Sequence, residues 1–483
     1  MRVLDELAAT RGQFGSVAAA RTGKLLEKIR VTRFRTAGDL IRLHEIVLFL
    51  RAYPQSPRVL RLADQILFSF QDRLKRVDRD PFEDPEVSGI AGTGLSTNFS
   101  YEVAHSLTAR YGPAVQIDWE NYDRADRLGP ILAKWIPLAG EDASVEPHVD
   151  WRKWFEGARL NLRQLLHRVD PQTYDLLEIP LRWELGDSGA SRSRTRLAQT
   201  AIPPREIFYH NGPFLKRADI ALESEFAAPE IPVTKVTRPR KLLDLILDTS
   251  AVRYRELYGF THPDAAHVYR ANLGRGVDIF FFGVPRQWRL PLRAYHAGMF
   301  FKNGVPIGYV EGLSLFERME VGFNLYYTFR EGETAWLYAR VLKLFREVLG
   351  VTCYSVDPYQ LGHENDEAVS SGAFWFYRKL GFRTTSKKIA PLIQREELRI
   401  AANPAYRTPP ATLRKLAEAP LIYGGGHEWD GFDLRRLGTM PRNMPPNLKR
   451  AKRAPEETGY VRLLQRDPRF RARMLGWGTL VLR

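Results

Sequence analysis

At 483 residues the chain exceeds what one hydrophobic core of usual size organises, so two or three domains are expected. A content of 44% hydrophobic and 12% aromatic residues excludes a disordered chain, and a single cysteine, Cys353, excludes an intrachain disulfide. No apolar run reaches the roughly 18 residues of a spanning helix, so no membrane span and a cytoplasmic location are expected.

Lys and Arg outnumber Asp and Glu by 72 to 56, and the resulting +16 favours anionic partners. Residues 431–483 hold thirteen Lys or Arg against four Asp or Glu, which is +9 of that total. This basic C-terminal region reads first as a solubilising or loosely interacting segment, with a contact for nucleic acid or tRNA as the alternative.

From Val3 to Val77 the apolar pattern predicts paired helices, with Leu40, Ile41, His44, Ile46, Val47 and Leu50 in one segment and Leu60, Leu62, Ala63, Ile66, Leu67 and Phe70 in the next. The Asp80-Pro81-Phe82-Glu83-Asp84-Pro85 cluster breaks this pattern, so residues 1–80 are read as a helical N-terminal region. Residues 81–228 read as mixed α/β. Gly89 to Gly94, a helix over Tyr101 to Tyr111 and a strand over Ala114 to Trp119 follow the order of a dinucleotide site. No apolar strand precedes Gly89, however, so a tight turn is preferred. Ile179 to Leu185 is a predicted strand, and Asp187 to Arg196 a predicted exposed loop with three arginines at alternate positions.

Beyond Lys241 the pattern becomes regular. Helices are predicted over Lys241 to Leu257 and Ala265 to Leu273, and a strand over Val277 to Val284. Strands Tyr295 to Lys302 and Val305 to Leu313 flank Asn303-Gly304, the dipeptide of a two-residue hairpin. A strand over Glu320 to Phe329, the turn Arg330-Glu331-Gly332-Glu333-Thr334 and a helix over Ala335 to Leu349 follow. Strand Val351 to Val356, a polar loop Asp357 to Asp366 and a helix Glu367 to Leu380 complete the unit.

The run Ala373, Tyr377, Gly381, Phe382 fits without gaps a late pattern of the GCN5-related N-acetyltransferase (GNAT) superfamily, and the order of elements from Val233 to Arg383 resembles that fold. The resemblance implies an α+β domain over residues 229–395, with a mixed, mostly antiparallel sheet flanked by helices, followed by a basic extension over 396–483. It also implies an acetyl-CoA or other acyl-CoA co-substrate, an amine acceptor and no metal. Aligning Gly332 with the family's first phosphate-loop glycine puts Phe329 at the basic position and Thr334 at the final small position, with Arg330 displaced by one.

By this resemblance Leu325, Tyr327, Phe329, Arg330, Glu331, Gly332, Glu333 and Thr334 would bind the cofactor, and Tyr377 would protonate the leaving thiolate. Glu320 is the expected base, and Asn324, Tyr326, Glu311 and His296 are the expected cleft residues. Two other readings stand beside this one: a non-catalytic GNAT-like binding protein whose basic tail contacts nucleic acid, and a transferase that takes its group from aminoacyl-tRNA.

Overall fold

A computed structural model describes residues 2–290, 293–426, 429, 430 and 432. The chain is mixed α/β and forms two compact units. The first comprises Met1–Pro213, Arg240–Thr261 and Asn303–Pro306, and the second Phe214–Pro239, His262–Lys302 and Ile307 onward. Among the described residues no helix is long and apolar enough to cross a membrane.

The first unit begins with helices Arg2–Thr10, Ser16–Val31, Ala37–Ala52 and Pro57–Phe68. Thr36 and Ser56 cap the third and fourth by accepting from the N–H groups of Asp39 and Val59. A small antiparallel sheet follows, made of β1 (Gly94–Asn98), β2 (Val115–Ile117) and β3 (Pro180–Glu184) in the order β1-β3-β2. Its core includes Leu107, Leu165, Leu181 and Trp183.

The Asp187 to Arg196 segment is not the exposed loop that its Ser/Gly/Arg composition predicts. Ser191 and Ser193 are fully buried, and Arg192 and Arg196 nearly so. The Arg192 guanidinium donates to both carboxylate oxygens of Glu45 at 2.9 and 3.1 Å. Arg196 and Arg51 share Asp64 at 3.1 and 2.7 Å. The arginines bind the chain's own carboxylates, which sequence spacing cannot reveal because Glu45 lies 147 residues away.

The second unit carries β4 (Val233–Lys235), β5 (Val268–Gly274), β6 (Val277–Gly283), β7 (Ala294–Lys302), β8 (Val305–Leu315), β9 (Arg318–Leu325), β10 (Cys353–Val356), β11 (Arg383–Thr384) and β12 (Leu421–Gly424). They form one sheet in the order β11-β12-β10-β9-β8-β7-β6-β5-β4. Asn303 and Gly304 both have positive φ, 49° and 79°, as the two-residue turn requires.

Residues 268–273, within the helix expected over Ala265 to Leu273, belong instead to β5. Val268 to Ala271 are buried without alternation, so the strand period is absent from the sequence there. Arg270 is held within the sheet by Asp278 of β6 at 2.7 Å. The helix expected over Glu367 to Leu380 is two helices, Asp366–Ser371 and Ala373–Lys379, because Gly372 adopts φ 68° and ends the first. The helix expected to reach Leu257 stops at Ala251.

Breaking the buried Arg192–Glu45 pair from one side strands a carboxylate. Arg192→Ala is expected to destabilise the protein by about 3–5 kcal/mol, read as a lowered urea midpoint. A change under about 1 kcal/mol would contradict the structural role given to this segment.

Candidate functional site

β9 and β10 run parallel, joined by the helix Thr334–Leu349 as a crossover. They pair at only three positions: Arg318 with Cys353, Met319 with Tyr354 and Glu320 with Ser355. Beyond Glu320, β9 continues to Leu325 against β8 alone on that stretch. Its other edge is met by side chains. Gln360 Nε2 donates to the Val321 carbonyl at 3.2 Å, Gln360 Oε1 accepts from the Phe323 N–H at 3.3 Å, and Arg330 Nε donates to the Leu325 carbonyl at 3.1 Å. Gln360 reaches this edge from the short helix Pro358–Leu361 directly after β10, in the segment expected as a long polar loop that could face a substrate.

Strand alternation divides the expected site residues between the two faces of the sheet. Register puts Glu320 opposite Leu313 and Gly322 opposite Glu311, so the two carboxylates lie on one face as diagonal neighbours, about 7–8 Å apart between Cα atoms. Asn324 shares that face and donates to the Tyr309 hydroxyl at 3.2 Å. Tyr326 follows Asn324; its N–H donates to the Ile307 carbonyl at 3.0 Å and its ring lies 6.2 Å from that of Tyr309. Glu311 accepts from the Tyr295 hydroxyl, and burial raises its carboxyl above the usual range. Glu320 pairs with Arg293 at 3.3 Å. Ser355, in register with Glu320, is buried, and its Oγ has no hydrogen-bond partner.

The opposite face is aromatic. Phe323 meets the ring of Tyr338 at 5.1 Å, and Tyr338 meets Tyr377 at 5.4 Å. Tyr377 is buried among Tyr338, Phe376 and Phe382, and burial raises its phenol, which is therefore protonated at neutral pH. The Tyr338 hydroxyl is fully buried without a partner. His296 also lies away from Glu311: its Nε2 is 3.2 Å from the Oγ of Ser314, which alternates with Leu313 along β8. Burial lowers His296 to about 4, so its ring is neutral at pH 7.

The strand expected to run to Phe329 ends at Leu325, and Tyr327–Phe329 is a 3₁₀ turn that buries Thr328 and Phe329. Within it the N–H groups of Phe329, Arg330 and Gly332 donate to Tyr326, Tyr327 and Phe329 carbonyls. Tyr327 is exposed, with the Arg330 guanidinium 5.9 Å from its ring centre. Arg330 also pairs with Glu367 at 2.5 Å, and the Thr334 hydroxyl donates to the Arg330 carbonyl.

Glu333 is buried and accepts from Arg275 and from the Leu215 N–H, while Glu331 adds a second carboxylate to the turn. Burial pushes the nearby Lys302 down to about 7, although Glu333 at 4.0 Å opposes this. The turn is thus built around its own carboxylates, a less favourable setting for a diphosphate than a bare glycine turn.

Cys353 is buried in β10, and burial pushes its thiol up to about 11, so it is no nucleophile at neutral pH. Among the described residues no group of three His, Cys, Asp or Glu side chains could hold a metal ion. The alternative of a nucleic-acid or tRNA contact falls on a basic segment of which residues 433–483 lie outside the described residues. In the first unit an open cleft of about 900 Å³ runs along β2 and is lined by Asp118, Trp119, Arg152, Phe155 and Arg182 among others. No protein-family model, curated protein or solved structure gives a significant match to this chain.

Because His296 titrates near 4 when folded and near 6.5 when unfolded, the unfolded chain binds the extra proton between those values. Its contribution is present above about pH 6.5 and lost as pH falls toward 4, with a slope approaching about 1.4 kcal/mol per pH unit. In urea unfolding from pH 7 to 4, His296→Leu should lose that component of the wild-type slope. An unchanged slope would show that His296 does not titrate as its burial requires.

Proposed function

We propose that the second unit is an N-acyltransferase domain that moves an acyl group from a CoA thioester to an amine. One observation carries this reading: β9 and β10 part after three paired positions, opening a polar strand edge between a carboxylate-bearing face and a tyrosine-bearing face. An extended acyl-pantetheine arm is a chain of amides, and Gln360 already presents an amide to the same Val321 and Phe323 groups.

In the proposed reaction the amine nitrogen attacks the thioester carbonyl carbon, the C–S bond breaks, and the thiolate takes a proton. Glu311 is better suited than Glu320 to remove the amine proton, because burial raises its carboxyl toward the working pH while Glu320 remains paired with Arg293. Tyr377, protonated and on the other face, is the donor to the thiolate. The order of elements and the Ala373 to Phe382 run support the GNAT-like reading of this unit.

A non-catalytic binding unit is the second reading. It is favoured by the occupation of the β9 edge by Gln360 and Arg330 and by the carboxylates in the turn. Titration with acetyl-CoA and longer acyl-CoAs, followed by transfer of a labelled acyl group to amines, separates the two. Under the enzymatic reading Glu311→Gln lowers transfer by about 10²-fold or more with little change in acetyl-CoA affinity. Binding without transfer to any amine supports the second reading, and no binding of any CoA ester overturns the first.

Gln360→Ala frees the edge from an internal competitor. It should tighten acetyl-CoA binding by about three- to tenfold, as expected for hydrogen bonds each worth about 0.5–1.5 kcal/mol net. Weaker binding in this variant would mean that Gln360 contacts the ligand rather than standing in its place.

A further inference from the structure

The helix Ser16–Val31 of the first unit buries Ala18, Ala19, Thr22, Leu25, Leu26 and Ile29. Its opposite face is exposed and carries Arg21, Lys24 and Lys28, which their spacing of three and four residues places on one stripe. Arg33 and Arg35, also exposed, extend the positive charge past the end of the helix. Among the described residues none of these five side chains makes an ion pair or a hydrogen bond. The one carboxylate of the helix, Glu27, is held by Arg58 of the neighbouring helix Pro57–Phe68 at 2.8 Å. Arg30 donates to Gln65 of that helix at 3.2 Å. Arg61, exposed and on the same stripe as Arg58 and Gln65, widens the basic face onto this second helix.

The charge of the chain is concentrated here. Residues 21–35 hold six Lys or Arg against one Glu, which is +5 of the chain's +16, and residues 431–483 hold +9, so the rest is close to neutral. Elsewhere in the first unit arginines meet the chain's own carboxylates: Arg110 meets Asp248, Arg192 meets Glu45 and Arg196 meets Asp64. The negative end of the helix accounts for Lys28 and Arg30, but not for Arg21 and Lys24 farther back. Like charges one turn apart repel, so a stripe of this kind is stabilised by an anion brought from outside. The basic C-terminal segment has the wrong charge to be that anion.

We infer that this face binds the phosphate backbone of a nucleic-acid duplex. From Arg21 to Lys28 the helix rises about 10 Å, which is about the axial advance of three phosphates on one strand. The helix contains no aromatic residue on which an unstacked base could lie, so the contact is to the backbone and reads no sequence. An anionic membrane fits less well. The apolar residues of the helix are buried, and its exposed large apolar side chains are Val17 and Val31 at the two ends, so no apolar face is left to enter a lipid surface.

The test is fluorescence anisotropy of labelled DNA and RNA duplexes of about 20 base pairs, titrated with the full chain between about 50 and 200 mM NaCl. Two triple variants that remove the same charge are compared: Arg21→Ala with Lys24→Ala and Lys28→Ala, and Lys449→Ala with Arg450→Ala and Lys452→Ala in the C-terminal segment. The helix triple removes exposed side chains without partners and adds a good helix former, so its urea midpoint should match the wild type. It is expected to weaken duplex binding about tenfold or more near 100 mM NaCl, alike for unrelated sequences, and to reduce the slope of log affinity against log salt by about 3. The C-terminal triple is expected to lose far less. The inference is overturned if the helix triple binds like the wild type, if both triples lose equally, as net charge alone would dictate, if a single strand binds more tightly than either duplex, or if phosphatidylserine vesicles bind and neither duplex does.

Discussion

The second unit turns on an interaction that stops early. Parallel strands need a long crossover, and here the helix Thr334–Leu349 returns the chain so that β10 meets β9 at its first three residues and then leaves it. An unpaired strand edge presents backbone donors and acceptors that require partners. The chain supplies them with an amide, Gln360, and a guanidinium, Arg330, at Val321, Phe323 and Leu325, the alternate residues that face that edge. Side chains can leave such an edge at far lower cost than a strand can. The same stretch therefore holds the fold together, and under the proposed reading it is where an extended ligand would dock.

Around that edge the sheet separates two chemistries. The face bearing Glu311, Glu320 and Asn324 is polar and hydrogen-bonded to Tyr295, Arg293 and Tyr309, whereas the face bearing Phe323 packs on Tyr338 and, through it, Tyr377. Groups on opposite faces of a continuous sheet cannot act on one bond, and the proposed reaction therefore depends on the place where the strands part. Burial then sets the protonation states in a useful sense: the Glu311 carboxyl rises toward neutrality and the Tyr377 phenol keeps its proton.

What was legible in the sequence was local. β6, the hairpin at Asn303-Gly304 and the amphipathic helix after Glu333 follow from residue spacing and turn chemistry, and all are present. β5 was illegible because burial on both faces erases the strand period. Gln360 carries no signal of its role, since its partners on β9 are 37 and 39 residues away and an isolated glutamine in a polar stretch reads as solvated. Composition misled in a similar way at Asp187 to Arg196. A run of arginines suggests an outward grip on anions, yet Arg192 and Arg196 are enclosed against Glu45 and Asp64, so formal charge overstates what the surface offers.

The central claim is that the β9 edge between Val321 and Leu325 exchanges its side-chain partners for an acyl-CoA. Backbone amide resonances followed during addition of acetyl-CoA test it most directly. Displacement of Gln360 predicts saturable shifts at Phe323 and its β9 neighbours together with a change at the Gln360 side-chain amide. Saturable binding that leaves Phe323 and the Gln360 amide unmoved would contradict the account.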